Sequence, residues 1–594
     1  MVKKTFTQFF YTLIGLAFMG AAIFAHQLGL DHSPGWGKER VMVLVLGVLV
    51  TIGGIFAPFL FSHGIKAAAA LQRIAARIRD HPLFSRMTDH RIVRSIPAPG
   101  SRKTYLLAGL LASLIIIFYI WLASTGLWTT FPHSTNYYDW LATSFQHGSL
   151  SLEIKPAPAL LALPNPYNPV ARAGIDIPGD VTLYHGKYYL YFGPAPALIL
   201  TVVKQIIPGV IGDSYLVFAF VVGIFILQLF LALEIWNQFF HDFPGWTILI
   251  GIILIGLEAP VLMLIASPDF HQVAIAGGQF FFNSGLFLTF SAFHEKSSPA
   301  RNLALAGISW VAAIGSRSTL IPSTGFMILM TILWTVKKSP SPKPGSTARH
   351  SILALGIPLV LGAAGLAWYN WARFGSPFEF GFQYQLTWNY IWKFRQILFS
   401  PAYILQNLYN YYLTPFHTSH LFPFFMVSNG KSASVFAFIN LPSLYFAGPG
   451  PGLLYSMPLN FLALLPAINA AAHLFKRDAQ AGERRILDWL SIGLFGSVVT
   501  AFITLLFFFW STIRYLADLA PALTLLSVIG FWQGYSFFHR KTISRNFYVF
   551  MIIGVTIVSV ILSTLLSISF GLERFRVFNP DLIHWLRNLF VGWD

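Results

Sequence analysis

A chain of 594 residues that is 55% hydrophobic and only 10% charged is not a soluble protein, because soluble folds carry about 25% charged residues on a surface that faces water. Its formal net charge of +17 does not point to nucleic acid: the basic residues fall in short segments between apolar runs, and no nucleic-acid module accompanies them. The absence of cysteine excludes disulfides, thiolate catalysis and cysteine metal sites.

The useful unit is therefore the apolar run of about 20 residues that crosses the hydrocarbon core as a helix. Such runs fall near 9–29, 41–62, 104–126, 193–211, 214–236, 246–266, 273–293, 302–318, 320–336, 352–373, 452–475, 486–510, 514–536 and 546–570. The first follows Met1-Val-Lys-Lys, lacks a small-x-small cleavage site and reads as an anchor. The N-terminus and residues 63–103, 294–301, 337–350, 476–485 and 539–545 hold 24 of the 39 Lys and Arg, and the positive-inside rule places all six in the cytoplasm. Alternation satisfies this only if one middle run fails to cross. Residues 193–211 are the choice: they open on Gly193-Pro194-Ala195-Pro196, contain Lys204 and end in Pro208-Gly209. The expectation is an all-α polytopic protein of about 13 transmembrane helices plus a re-entrant or interfacial segment. Merging 302–336 into one broken helix is the second choice, because it leaves 294–301 outside.

Four regions follow. Residues 1–103 hold two spans and a basic amphipathic helix at 66–80; 104–373 form a core whose first outer loop is 127–192; 374–451 are an aromatic extracytoplasmic cap of amphipathic helices and loops; 452–594 return to the membrane. The linker SPSPKPGST is solvated. In the first outer loop, Asn136 to His147 can form an amphipathic helix that stops at Gly148. Prolines 156, 158, 164, 166 and 169 forbid regular structure after it. A long loop without regular structure is usually functional or disordered, and its aromatic density argues against disorder.

The loop carboxylates are Asp139, Glu153, Asp176 and Asp180, each of which alone reads equally as a solvated acid or a helix cap. Asp180 stands out because it precedes Lys187 and the aromatic stretch that re-enters the membrane. A carboxylate beside apolar walls can be tuned to accept a proton from an acceptor hydroxyl, with Asp139 as second choice. Ionisable residues at membrane depth are costly and default to functional hypotheses. Arg317, Arg514 and Asp518 sit at outer helix ends, and Lys187 and Arg172 fall on the same side. Arginine suits phosphate through its planar two-donor fork, although snorkelling at a helix end explains any one of these equally well. Glu258 and Lys204 could pair with other charges or line a cavity, and His271, in SPDFHQ, reads as a loop histidine. No HExxH, Walker, GxSxG or DxD-like motif is present, so soluble nucleotide chemistry is unsupported, and with no carboxylate cluster visible a divalent metal is not implied.

The segment LATSFQHGSLSL, then DVTLYHGKYYLYFGPAPALIL, and RYLADLAPAL at 514–523 together resemble bacterial members of the GT-C superfamily of membrane glycosyltransferases. They are most similar to the protein O-mannosyltransferase and lipid A aminoarabinose transferase type, over roughly residues 104–530. The resemblance implies a GT-C-like fold in the bacterial inner membrane with an extracytoplasmic active face. It implies a polyprenyl-phosphate sugar as donor from the membrane lipid, and a glycan, lipid or protein hydroxyl as acceptor, with inversion and no certain cofactor. Asp180 or Asp139 would be the base, and Lys187, Arg317, Arg514 and Arg172 would meet phosphate. Tyr184, Tyr188, Tyr189 and Tyr191 would pack on the sugar. Many family members carry an acid at the start of this loop, where the chain reads Thr130 to Asn136 without one. The alternative is a transporter or flippase of a lipid-linked sugar or lipid, which needs the cavity and cations but no base.

Overall fold

A computed structural model describes residues 101–590 except 134, 295–298, 338–345, 428–429, 431–433, 437–438, 476–483 and 540–541, with scattered positions before 101. The N-terminal runs and the amphipathic stretch at 66–80 therefore lie outside the described residues, as does most of the SPSPKPGST linker.

Hydrocarbon offers the backbone no hydrogen-bond partners, so apolar runs close their own bonds as helices. In chain order the helices that matter are α1 (Arg102–Ala123), α2 (Tyr137–Gln146), α3 (Ala195–Val203), α4 (Asp213–Phe239), α5 (Trp246–Gly256), α6 (Ala259–Ala266) and α7 (Phe270–His294). They continue with α8 (Pro299–Ile314), α9 (Ile321–Lys337), α10 (Ser346–Phe374), α11 (Ile404–Tyr412), α12 (Leu464–Phe475), α13 (Arg484–Phe507), α14 (Ile513–Leu516), α15 (Ala520–Phe538) and α16 (Thr542–Phe570). Among the described residues, 7 helices are long and apolar enough to cross a membrane, or 8 if α5 and α6 form one span. The chain is thus a multi-pass membrane protein, with fewer such helices than the about 13 expected. Part of the shortfall is length: α8 has 16 residues and α12 has 12, reaching about 24 and 18 Å against a ~30 Å core.

The run at 193–211 forms α3, a helix of only 9 residues. At about 1.5 Å per residue it reaches roughly 14 Å, half the hydrocarbon thickness, so it cannot cross as a helix. Residues 302–336 are two helices, α8 and α9, with Arg317 and a short 3-10 turn (Ser318–Leu320) between them.

The chain groups into two compact units, Met1–Thr130 with Leu229–Gly256, and Phe131–Gln228 with Leu257–Asp594. In the first, Ser101 caps α1 by accepting the Thr104 N–H at 3.3 Å. Tyr119 of α1 donates its hydroxyl to the Gly256 carbonyl of α5.

In the second unit, α2 spans Tyr137–Gln146 and ends before Gly148, whose φ of +71° provides the left-handed turn. Its N-terminus is capped from a distance. The Asp213 carboxylate accepts the N–H groups of Tyr137 at 3.0 Å and Tyr138 at 3.2 Å, placing negative charge at the positive end of the helix. Beyond the proline-rich stretch the chain makes a hairpin, β1 (Thr182–Tyr184) with β2 (Lys187–Tyr189). His185 and Gly186 turn it with φ of +46° and +71°, the pattern of a two-residue turn with both central φ positive. The hairpin is bound to the second long segment: Leu386 N–H donates to Val181 O at 2.8 Å, and Thr182 Oγ1 to Gly381 O at 3.1 Å.

Residues 374–451 differ from the amphipathic helices expected there. Among the described residues they contain one helix of 9 residues, α11, amid 3-10 turns and two-residue strands. Their order comes from an aromatic core of Ile391, Leu398, Tyr403, Leu444, Tyr445 and Phe509. Asn407 Nδ2 donates to the carbonyls of Leu505, Leu506 and Phe508 at the end of α13, satisfying the orphan carbonyls a helix C-terminus leaves.

Candidate functional site

The site forms where the stretch between β2 and α3, the head of α7 and the short helix α14 meet. Asp269 precedes α7, and its carboxylate accepts the N–H of His271 at 2.6 Å and of Gln272 at 3.3 Å, as an N-cap does. The same Oδ1 lies 3.0 Å from His271 Nδ1. The other ring nitrogen, Nε2, lies 3.2 Å from Asp180 Oδ2. One imidazole therefore bridges two carboxylates from segments far apart in the chain. Burial raises the Asp269 carboxyl, but His271 and Arg514 outweigh it and hold this acid below the usual carboxylate range. The Asp180 side chain remains 34% exposed, that of Asp269 27% and the histidine 14%, so Asp180 is the most open of the three. Its φ is +56°, an uncommon left-handed backbone that Asp tolerates better than most residues.

Arg514 acts electrostatically on Asp269 and His271. Arg514 stands over the Tyr515 ring at 5.7 Å and Arg317 over the same ring at 5.2 Å. Arg317 Nε donates to Asp518 Oδ2 at 2.8 Å, and Thr319 Oγ1 donates to the same oxygen at 3.2 Å. Arg514 Nε and Asp518 Oδ1 are buried without a hydrogen-bond partner. Such groups are rare in native structures and call for a role. Tyr191 joins the two halves, within electrostatic reach of Asp180, Arg514 and Arg317, with burial as the main cause that keeps its phenol protonated. Phe192 packs its edge on the His271 ring at 5.6 Å, and Phe270 stacks on Tyr137 at 4.0 Å.

Backbone packing holds the stretch that enters α3 in place. Ala195 N–H donates to Gly315 O at 3.0 Å, and a Cβ on Gly193 would stand 2.0 Å from that same oxygen. Only glycine allows this approach.

The remaining expected residues fall elsewhere. Asp139 accepts Lys204 Nζ at 2.6 Å and the Ile211 N–H at 2.9 Å, clamping α2 to the end of α3. Its side chain is 5% exposed and that of Lys204 10%, so this acid is committed to an ion pair. Lys187, the first residue of β2, is exposed, whereas Tyr188 and Tyr189 after it are buried. Arg172 donates to the carbonyls of Thr387 and Pro166 and ties the proline loop to the second segment. Tyr184 packs on Phe374 at 5.6 Å and Tyr384 at 4.5 Å. Tyr188 is buried, and Tyr189 lies edge-on to Phe374 at 5.3 Å. Of the four tyrosines, Tyr191 alone joins the acids and arginines.

Three site residues escaped the sequence reading: His271 as a bridging group, Asp269 as its partner, and Tyr515 beneath both arginines. A signal existed in Ser-Pro-Asp-Phe-His at the head of a long apolar helix, where a cap and a titratable ring stand two residues apart. Among the described residues no group of three or more His, Asp or Glu is disposed to hold a metal ion.

No protein-family model matches the sequence, nor does any curated protein. Among solved structures, the chain aligns with the apo oligosaccharyltransferase of Archaeoglobus fulgidus at 12% identity and a TM-score of 0.39, covering 78% of this chain and 56% of that one. It aligns equally with archaeal oligosaccharyltransferase AglB from Archaeoglobus fulgidus in complex with an inhibitory peptide and a dolichol-phosphate, at 12% identity and TM-score 0.39, covering 80% and 56%. The chain thus spans little more than half the length of either structure. A likeness this distant gives no residue of this chain a role.

Proposed function

We propose that the chain is a membrane glycosyltransferase of the GT-C kind that moves a sugar from a polyprenyl-phosphate donor to an acceptor hydroxyl at the extracytoplasmic face, with inversion. The supporting observation is that Tyr191 lies within electrostatic reach of both a partly exposed carboxylate, Asp180, and an arginine whose Nε is unpaired, Arg514. The acceptor oxygen attacks the anomeric carbon, the bond from that carbon to the phosphate oxygen breaks, and polyprenyl phosphate leaves with the electron pair. Asp180 takes the acceptor's proton, and His271, hydrogen-bonded behind it and held by Asp269, keeps its carboxylate aimed. Arg514 meets the charge growing on the leaving phosphate, a role that a pre-aligned donor performs without reorganisation. Arg317, neutralised by Asp518, holds the Tyr515 ring on which Arg514 rests. Tyr191 offers a protonated phenol to the sugar.

The test is turnover of labelled polyprenyl-phosphate sugars by the full chain in nanodiscs, read as released polyprenyl phosphate. Asp180→Asn should lower turnover at least about 100-fold while leaving donor binding intact. Undiminished turnover in that variant removes Asp180 as base. Movement of intact lipid across vesicles without cleavage would establish a transporter in place of a transferase.

A further inference from the structure

Past Phe570, where the bilayer-crossing helix α16 ends, the chain forms two short helices, α17 (Leu572–Phe578) and α18 (Pro580–Asn588). Asn579 accepts the Leu582 N–H at 3.3 Å and Pro580 is the first helical residue, so α18 has a side-chain cap and a preset first turn. At about 100° per residue, Ile583, Leu586, Leu582, Leu589 and Trp585 follow one another in that order around an apolar arc about 160° wide. Arg587, His584, Asn588 and Asp581 fill the other side. Burial falls steadily along the apolar arc. Ile583 is 2% exposed, Leu586 and Leu582 are half-buried, and Leu589 and Trp585 stand 51% and 57% exposed. The protein thus covers one edge of the arc and leaves the other open.

The place of that open edge points to what covers it. Arg574 of α17 donates to Ala266 O, at the end of α6, and to Pro132 O, each at 2.8 Å. A Cβ on Gly571 would lie 2.6 Å from the same Ala266 oxygen, so the turn after α16 is pressed onto the end of α6. Helix α18 is tied to the end of α16 through the hairpin in which His417–Thr418 pairs with Phe425–Met426. Next to that hairpin, Val427 N–H donates to Ser569 Oγ of α16 at 3.2 Å. At its tip, Phe590 stacks on Phe422 at 5.9 Å and meets Phe424 edge-on at 5.0 Å, while Arg587 Nε donates to Phe422 O at 3.4 Å. The end of a bilayer-crossing helix marks where hydrocarbon gives way to headgroups, the depth that Trp favours. A helix with one polar face and an open apolar edge suits that boundary, whereas water would surround two large apolar side chains at a cost. We propose that α18 lies in the membrane interface beside the end of α16, with Trp585 and Leu589 in lipid and His584 and Asn588 in water. Its partner is the lipid surface, whichever reaction occurs at Asp180.

The sequence contains no cysteine, so a single introduced cysteine carries a nitroxide label at a unique place on the full chain in phosphatidylcholine–phosphatidylglycerol nanodiscs. Collision of the label with oxygen, which concentrates in lipid, is compared with collision with a nickel chelate, which stays in water. Labels on Trp585→Cys and Leu589→Cys should favour oxygen, at a depth of about 5–10 Å. Labels on His584→Cys and Asn588→Cys should favour nickel, so that preference follows the helical period and not the order along the chain. All four positions are exposed, so each labelled chain should keep the parental thermal midpoint. Adding Trp585→Asp to the Leu589→Cys chain should lift the helix and shift that label toward nickel. The proposal is overturned if the Trp585→Cys and Leu589→Cys labels meet nickel as readily as the other two. It is equally overturned if those two labels show dipolar broadening that dilution with unlabelled chain removes, because a second copy then covers the open edge.

Discussion

Replacing Asp139 with asparagine separates a structural acid from a catalytic one. The Asp139 carboxylate accepts both Lys204 Nζ at 2.6 Å and the Ile211 N–H at 2.9 Å, with side chains 5% and 10% exposed. Removing one partner of a buried pair leaves the other charge uncompensated and typically costs about 3–5 kcal/mol. Asp139→Asn keeps a hydrogen-bond acceptor, so the lower end, about 3 kcal/mol, is expected. Lys204→Met alone should cost a similar amount, because it strands the carboxylate. The double variant Asp139→Asn/Lys204→Met should cost no more than either single, about 3 kcal/mol, since no charge is then left unpaired, so the double-mutant cycle should show a coupling energy of about 3 kcal/mol. The assay is equilibrium unfolding in mixed micelles with increasing denaturing detergent, followed by tryptophan fluorescence and paired with turnover per folded molecule. Stability should fall while turnover per folded molecule holds within about threefold, whereas Asp180→Asn should do the reverse. If Asp139→Asn leaves stability intact and stops turnover, the ion pair is incidental and Asp139 is the base.

Asp269 gives a pH dependence of definite sign. Its carboxyl is depressed in the folded chain, so its stabilising contribution is fully present above the unfolded value of about 3.9. It is lost as pH falls through the lower folded value. Asp269→Asn should therefore flatten the acid limb of the stability–pH curve below about pH 4, and an unchanged acid limb would refute the contact with His271. At Gly193, an added methyl meets the Gly315 carbonyl that Ala195 also uses. Gly193→Ala should thus cost about 2–3 kcal/mol through overpacking, measurable as a lower thermal midpoint in detergent. Gly148→Ala, which has open space around it, should cost less, chiefly the strain of a left-handed backbone.

The local features were readable because they are local. An apolar run satisfies its own backbone wherever it lies in the membrane, so the spans 104–126, 214–236, 273–293 and 546–570 follow from hydropathy and reappear as α1, α4, α7 and α16. Helix α2 was legible for a similar reason, since its amphipathic pattern and the glycine that stops it are neighbours in sequence. Charge made 193–211 the run least suited to a full span, and it folds as a helix of 9 residues. The turn at His185-Gly186 is equally local, yet the prolines before it drew the reading away from strands. In 374–451 the aromatic density was visible but its partners were not: Tyr403 and Tyr445 pack on Phe509 from across the chain, so helical periodicity misled.

What only the tertiary structure decided is pairing. Asp180, Arg317, Arg514, Lys187 and Asp139 look alike in sequence, as charges beside apolar stretches. Folding gives Asp139 to Lys204 and turns Lys187 to solvent. It brings Asp180 to His271, 91 positions away, and Arg317 to Asp518, 201 positions away. Hydropathy sums along the chain, whereas electrostatic partnership depends on distance through space. The sequence by itself therefore determined a membrane protein with an aromatic, charge-bearing loop at 127–192. The packing of α7, α14 and the stretch that enters α3 determined which of its charges face one another.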